Sequence, residues 1–189
     1  MDFGFGTILL VAIVALAGYV IVIYNGLVRA RQLVKEAWSG IDVQLKRRAD
    51  LIPNLIETVK GYAQHERQTL DEVTALRTRA QSVPSGDVAG RAQAEGLLGQ
   101  ALGRLLAVAE AYPDLKANEN FVQLQASLET IESEIQMSRR YYNGAARDLN
   151  IKVESFPSNL VANTFGFSQV EYFEIENAAD RAVPKVSFN

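Results

Sequence analysis

The chain has no cysteine, and His65 is the one histidine among its 189 residues. The first absence removes a disulfide scaffold, a thiolate metal site and a cysteine nucleophile. The second removes a histidine-built metal site within one chain. Charge is missing more locally: between Asp2 and Arg29 there is no Asp, Glu, Lys or Arg. With 48% hydrophobic residues and a formal net charge of −3, the chain is of ordered composition and of a length that suits one domain rather than two. A net acidic chain without a stripe of interleaved bases and aromatics also argues against nucleic-acid binding.

What fills the charge gap is apolar. Residues 3–28 are 26 uncharged positions, and 7–23 (TILLVAIVALAGYVIVI) are almost wholly aliphatic. About 20 such residues in a helix cross a hydrocarbon core of roughly 30 Å. Phe3 and Phe5 at one end, with Tyr19 and Tyr24 near the other, suit the two interfaces. Ala15-Leu16-Ala17 resembles a signal-peptide cleavage site, but Met1-Asp2 carries no basic side chain and the apolar run continues past Ala17, which favours an uncleaved anchor. The bases Arg29, Arg31 and Lys35 follow the span, whereas Asp2 is the one side-chain charge before it. The positive-inside rule therefore places the N-terminus outside and the bulk of the chain in the cytoplasm, as a single-pass protein. Tyr24, Arg29 and Arg31 are the expected membrane-interface residues. Lys46-Arg47-Arg48 would lie about 30 Å along the helix from Leu27 and are poorer lipid ligands. The span holds no small-xxx-small pair, so tight dimerisation by that route is not indicated.

Beyond the span, apolar residues recur at spacings of three and four, the seam of a packed or coiled-coil helix. The first seam runs Leu27, Val34, Trp38, Ile41, Leu45 and Ile52. The second has Leu55, Val59 and Tyr62, then Leu70, Val73 and Leu76; the third Ala94, Leu98, Ala101, Leu105, Val108 and Tyr112. The fourth runs Phe121, Leu124, Leu128, Ile131 and Ile135, then Tyr142, Ala145 and Leu149. Turns are predicted at Val83-Pro84-Ser85-Gly86 and at Tyr112-Pro113-Asp114, with Asp114 or Asn118 capping the next helix. At Asp50-Leu51-Ile52-Pro53 two readings stand: Pro53 starts a new helix capped by Asp50, or it kinks a long one. The expected fold is all-α: a single N-terminal transmembrane helix followed by a long antiparallel four-helix bundle or, alternatively, three long helices with the first kinked at Pro53. Its expected divisions are an anchor over 1–28, a cytoplasmic bundle over 29–155, and a short helix or turn with an extended acidic tail over 156–189. The fourth helix, roughly 115–154, is expected to outrun its partners and project. Between Glu154 and Asp180 there are five acids and no base, against ten bases and seven acids in 29–80. An acidic tail can meet a basic juxtamembrane helix, though each surface pair is weak.

The sequence resembles the LemA family over nearly its whole length. The resemblance is carried by Tyr24-Asn25 and Leu27-Val28, by Glu36-Ala37-Trp38-Ser39 with Ile41 to Arg48, and by Asp50-Leu51-Ile52-Pro53-Asn54-Leu55. It continues through Glu57-Thr58-Val59-Lys60-Gly61-Tyr62, His65-Glu66, the run Ala111 to Asn118, Asn120-Phe121, Tyr142-Asn143, Phe156-Pro157 and Gly166-Phe167. Leu149-Asn150 departs from it, because the family more often has a second Tyr-Asn pair there. The resemblance implies a bacterial membrane protein with one N-terminal anchor and a four-helix-bundle-like soluble domain, and no established catalytic activity. It also implies a link to membrane remodelling, scaffolding or quality control, through a family member that forms magnetosome membranes and gene neighbourhoods with membrane metallopeptidases.

Candidate chemistry is sparse. His65 and Glu66, as helical neighbours, point about 100° apart, and general acid-base work also needs a partner and a pocket. Of Glu129, Glu132 and Glu134, Glu129 and Glu132 share a helix face, and no Glu-x-x-His motif accompanies them, so a solvated charged face is expected. Trp38 falls in the first seam and is expected in the core or at an interaction surface. Tyr112 and Asp114 mark an exposed turn that can dock a partner. The expectation is a non-enzymatic scaffold, with no catalytic residue, cofactor or metal, that self-associates and organises or remodels the membrane. Its partners would be the lipid bilayer and further copies of itself. The alternative is an adaptor for a membrane protease or signalling protein in envelope quality control.

Overall fold

A computed structural model describes residues 4–63 and 65–174. All of the regular structure among them is helical: α1 Phe5–Tyr62, α2 Arg67–Ser82, α3 Val88–Ala109, α4 Pro113–Lys116, α5 Glu119–Glu154 and α6 Ser158–Thr164. The expected tail Pro184-Lys185-Val186-Ser187-Phe188-Asn189, and Asp180, Phe3 and Asp2, lie outside the described residues.

The apolar N-terminal stretch and the first seam are one helix of 58 residues. Its N-terminal part is long and apolar enough to cross a membrane, and none of that window is buried. A soluble helix of this apolarity would bury it, since apolar area is worth about 25 cal/mol per Å² withdrawn from water.

Pro53 lies inside α1, so the chain neither turns nor begins a helix there, and Asp50 is an exposed mid-helix residue rather than a cap. A proline in a helix interior costs about 3 kcal/mol. Here the seam keeps its phase across it: Leu45, Ile52, Leu55 and Val59 are all buried. That burial outweighs one missing hydrogen bond. The break falls instead at 63–66, inside the stretch read as one helix over 54–82. Ala63 N–H still donates to Val59 O, and Glu66 N–H closes a turn on Ala63 O. The sign was the eight-residue lapse between Tyr62 and Leu70. Ala63 is buried in the seam's place while Tyr62 is exposed.

The other predicted turns stand. Asp87 caps α3, its carboxylate accepting from Gly90 N–H at 2.7 Å. A Cβ on Gly90 would lie 2.2 Å from that carboxylate, so glycine there lets the cap close. At 112–118 Pro113 opens the four-residue α4, which the seams had not revealed. Of the two proposed caps, Asn118 is the one used: Phe121 N–H donates to its Oδ1 at 3.0 Å.

The chain forms two compact units. One joins the described residues up to Ser39 with Arg140–Glu171, and the other joins the described residues of 40–139 with 172–174. In the second unit Ile52, Leu55 and Val59 of α1 share a core with Leu70 and Val73 of α2, Leu98, Leu102 and Leu105 of α3, Leu115 of α4, and Phe121 and Leu128 of α5. In the first unit Leu27, Ala30, Val34 and Ala37 are buried, as are Tyr142, Ala145, Ala146 and Leu149 of α5. The far end of α5 therefore does not project free: its seam is covered.

Candidate functional site

Within the first unit, aromatic side chains collect where α1 leaves its apolar stretch. Phe156-Pro157, joined by a cis peptide bond, stops α5 and leads into α6. That short helix ends at Phe165, after which Gly166 takes φ 70° and Phe167 N–H donates back to Ala162 O at 2.9 Å. This left-handed glycine and six-to-one hydrogen bond form a Schellman cap, which turns Phe167 inward beside Ala162. The Tyr24 ring then meets Phe165 at 5.0 Å and Phe167 at 5.7 Å between centroids, both edge-on. Arg31 lays its guanidinium over the Phe167 ring at 4.7 Å. Lys152 Nζ reaches Gly26 O at 3.3 Å, tying the end of α5 to the same turn of α1.

Two polar clamps hold the segment after α6. Asn150 donates from Nδ2 to Val170 O and accepts from Val170 N–H through Oδ1, each at 2.9 Å. It thus gives a backbone segment without a strand partner the two hydrogen bonds it needs. The Tyr142 hydroxyl donates to Glu171 O at 2.9 Å, and its ring packs edge-on against Trp38 at 5.5 Å. Burial first, then the Glu171 charge, pushes the Tyr142 hydroxyl above its ordinary 10.0. Leu149, where the sequence departs from the pattern it resembles, is buried, and Asn150 beside it makes the clamp.

Within the second unit lies a buried ion cluster that sequence reasoning missed. Arg48 is 2% exposed; its guanidinium donates to Glu95 of α3 at 2.5 Å and to Glu132 of α5. Glu95, 3% exposed, also accepts from Arg91 at 3.0 Å, and Arg91 reaches Asp42 at 3.3 Å. Burial acts to lower the Arg48 pKa, but the charges and hydrogen bonds of Glu132 and Glu95 outweigh it and hold it above the ordinary guanidinium value. The signal was available: Arg48 occupies a seam position between Leu45 and Ile52. Glu132 and Glu134 are accordingly not simply a solvated face, since Glu134 also pairs with Arg47 at 2.8 Å. The carboxylates are taken up by guanidinium groups, and no group of three or more His, Asp or Glu able to hold a metal occurs among the described residues.

The sequence-predicted residues are thus dispersed. Tyr24 and Arg31 meet in the aromatic cluster, and Arg31 is half-buried against Phe167. Arg29 is exposed on the same helix. Trp38 is partly buried with Tyr142. Tyr112 is half-buried and donates to Glu66 Oε1 at 3.4 Å; desolvation and then the Glu66 charge raise its hydroxyl above 10.0. Asp114 is exposed in the first turn of α4. His65 sits exposed in the turn after α1 and not on a helix.

The chain is 27% identical to "Magnetosome protein MamQ 2" of Paramagnetospirillum magneticum, over 91% of this chain and 72% of that protein. It is 25% identical to "Magnetosome protein MamQ" of Magnetospirillum gryphiswaldense, over 85% of this chain and 68% of that one. "Protein LemA" of Metamycoplasma hominis is 28% identical over 79% of this chain and 68% of its own length. The model of the LemA family matches residues 37–188, so this chain belongs to the LemA family.

Proposed function

We propose that this protein is a non-enzymatic, membrane-anchored helical scaffold that self-associates and organises or remodels the bacterial membrane. The observation that carries the reading is α1: an exposed apolar stretch continues without a break into a helix whose later seam is buried. An anchor continuous with a core helix transmits position rather than acting as a leash. Arg29 and Lys35 after the stretch support an N-out, C-in topology in the inner membrane. An antiparallel four-helix arrangement inside the second unit fits the pairs Arg77 to Ala49 and Arg104 to Glu72. The magnetosome names of two relatives make an organised membrane the natural setting. Full-length protein imaged by electron microscopy in lipid, and sized after mild detergent extraction, tests the reading. A large homo-oligomer with regular packing is expected. A strictly monomeric profile across concentrations rejects it, and a discrete complex with a membrane protease in place of homo-oligomers favours an adaptor.

A further inference from the structure

Resting on the membrane-anchored reading, we propose that the segment Ser155–Val170, centred on α6, is a second membrane contact that lies in the lipid headgroup layer beside the exit of α1. These sixteen residues contain no Asp, Glu, Lys or Arg. The segment divides its apolar side chains in two. Val161, Ala162 and Phe167 are buried against the first unit, whereas Phe156, Leu160 and Phe165 are 80%, 58% and 53% exposed. Large apolar side chains exposed together on a short element mark an interaction surface. Its location names the occupant: Phe165 stacks edge-on against Tyr24 at 5.0 Å, and Tyr24 directly follows the apolar run of α1. Phe165 therefore borders the end of the exposed apolar run, which on the anchored reading faces the hydrocarbon. A cation borders it, with exposed Lys152 held at Gly26 O. An apolar, uncharged face bordered by a base and aromatics is what an interfacial element needs to rest among anionic headgroups. The Schellman cap at Gly166 and the Asn150 clamp on Val170 fix both the end of α6 and the chain that leaves it, so the face is presented pre-formed.

The absence of native cysteine makes the test clean. Leu160→Cys, Phe156→Cys, Val14→Cys and Ser39→Cys are each introduced into the full chain, labelled with an environment-sensitive fluorophore, and reconstituted into phosphatidylethanolamine–phosphatidylglycerol vesicles with lipids spin-labelled at shallow or deep acyl positions. Labels at 160 and 156 are expected to emit blue-shifted and to be quenched by roughly half by the shallow label, with Ser39 emitting as in water. Quenching of Val14 by the deep label reports the anchor independently. If Val14 is quenched but 160 and 156 emit as in water, this inference fails while the anchored reading stands; if Val14 is not quenched, the anchored reading itself fails. Blue-shifted emission at 160 and 156 that no spin-labelled lipid quenches means that a second copy covers the face, and overturns the proposal, as does equal quenching at Ser39.

Discussion

Arg48 and Glu132 show how burial decides what a charged pair is worth. Glu132 is 41% exposed and can turn to water when its partner is lost, whereas Glu95 at 3% cannot and is left with Arg91 alone. Breaking a buried pair costs about 3–5 kcal/mol when the remaining charge has no other partner and less when it keeps one, while an exposed pair contributes about 0–1 kcal/mol. Arg48→Ala is therefore expected to destabilise the fold by up to about 3 kcal/mol, and Glu132→Gln by under about 1 kcal/mol, measured by denaturant unfolding of the full chain in detergent. Equal effects would mean that Glu95 finds water. Tyr142 supplies a pH dependence. Its hydroxyl ionises near 10.0 in the unfolded chain and above that in the fold, because burial and the Glu171 charge favour the neutral form. The stabilisation is therefore complete below 10.0 and is lost as pH climbs through the folded value. Ionisation also removes the proton donated to Glu171 O. Tyr142→Phe is expected to cost about 1 kcal/mol at neutral pH and to flatten the alkaline fall in stability. Tyr112, shifted in the same direction, leaves part of that fall in place.

Among the elements, α1 separates two signals that the sequence offers together. Proline suggested a boundary and the apolar phase suggested continuity; the buried run Ile52, Leu55 and Val59 shows that phase prevailed. Pro53→Ala is accordingly expected to leave the helix intact and to stabilise it by up to about 3 kcal/mol, read as a higher unfolding midpoint with undiminished helicity. A drop in stability would mean that proline specifies the local backbone. The seams of α3 and α5 were legible because Leu98, Leu105, Phe121, Leu128 and Ile135 repeat with helical period and are buried. The turn at 63–66 was not, because its mark is a lapse in the seam with no glycine-proline signal inside it. The four-residue α4 escaped for a different reason: it spans too few residues to show a period. At the candidate site, Tyr24 and Arg31 were legible from their place beside the apolar run. Their partners Phe165 and Phe167 lie more than a hundred residues away, and pairing across that distance is fixed by tertiary packing.

At the scale of the whole molecule, α1 is a single helix from Phe5 to Tyr62, and its hydrogen-bonded ladder has no proline before Pro53. Each residue of such a ladder advances about 100° and 1.5 Å. The apolar stretch and the seam Leu27, Ala30, Val34 and Ala37 are thereby locked in azimuth, like teeth cut on one shaft. One alanine inserted after Gly26 turns everything before it by about 100° and swings Tyr24 away from Phe165 and Phe167, whereas four alanines restore the angle to within about 40°. The one-residue insertion is expected to lose the aromatic contacts, worth about 0.5–1.5 kcal/mol each, and the four-residue insertion to regain part of them, as read by unfolding midpoints. Equal losses from the two insertions would mean that α1 unwinds at Gly26. A continuous helix makes the facing of the N-terminal segment a counted quantity, set by the number of residues between Tyr24 and the seam.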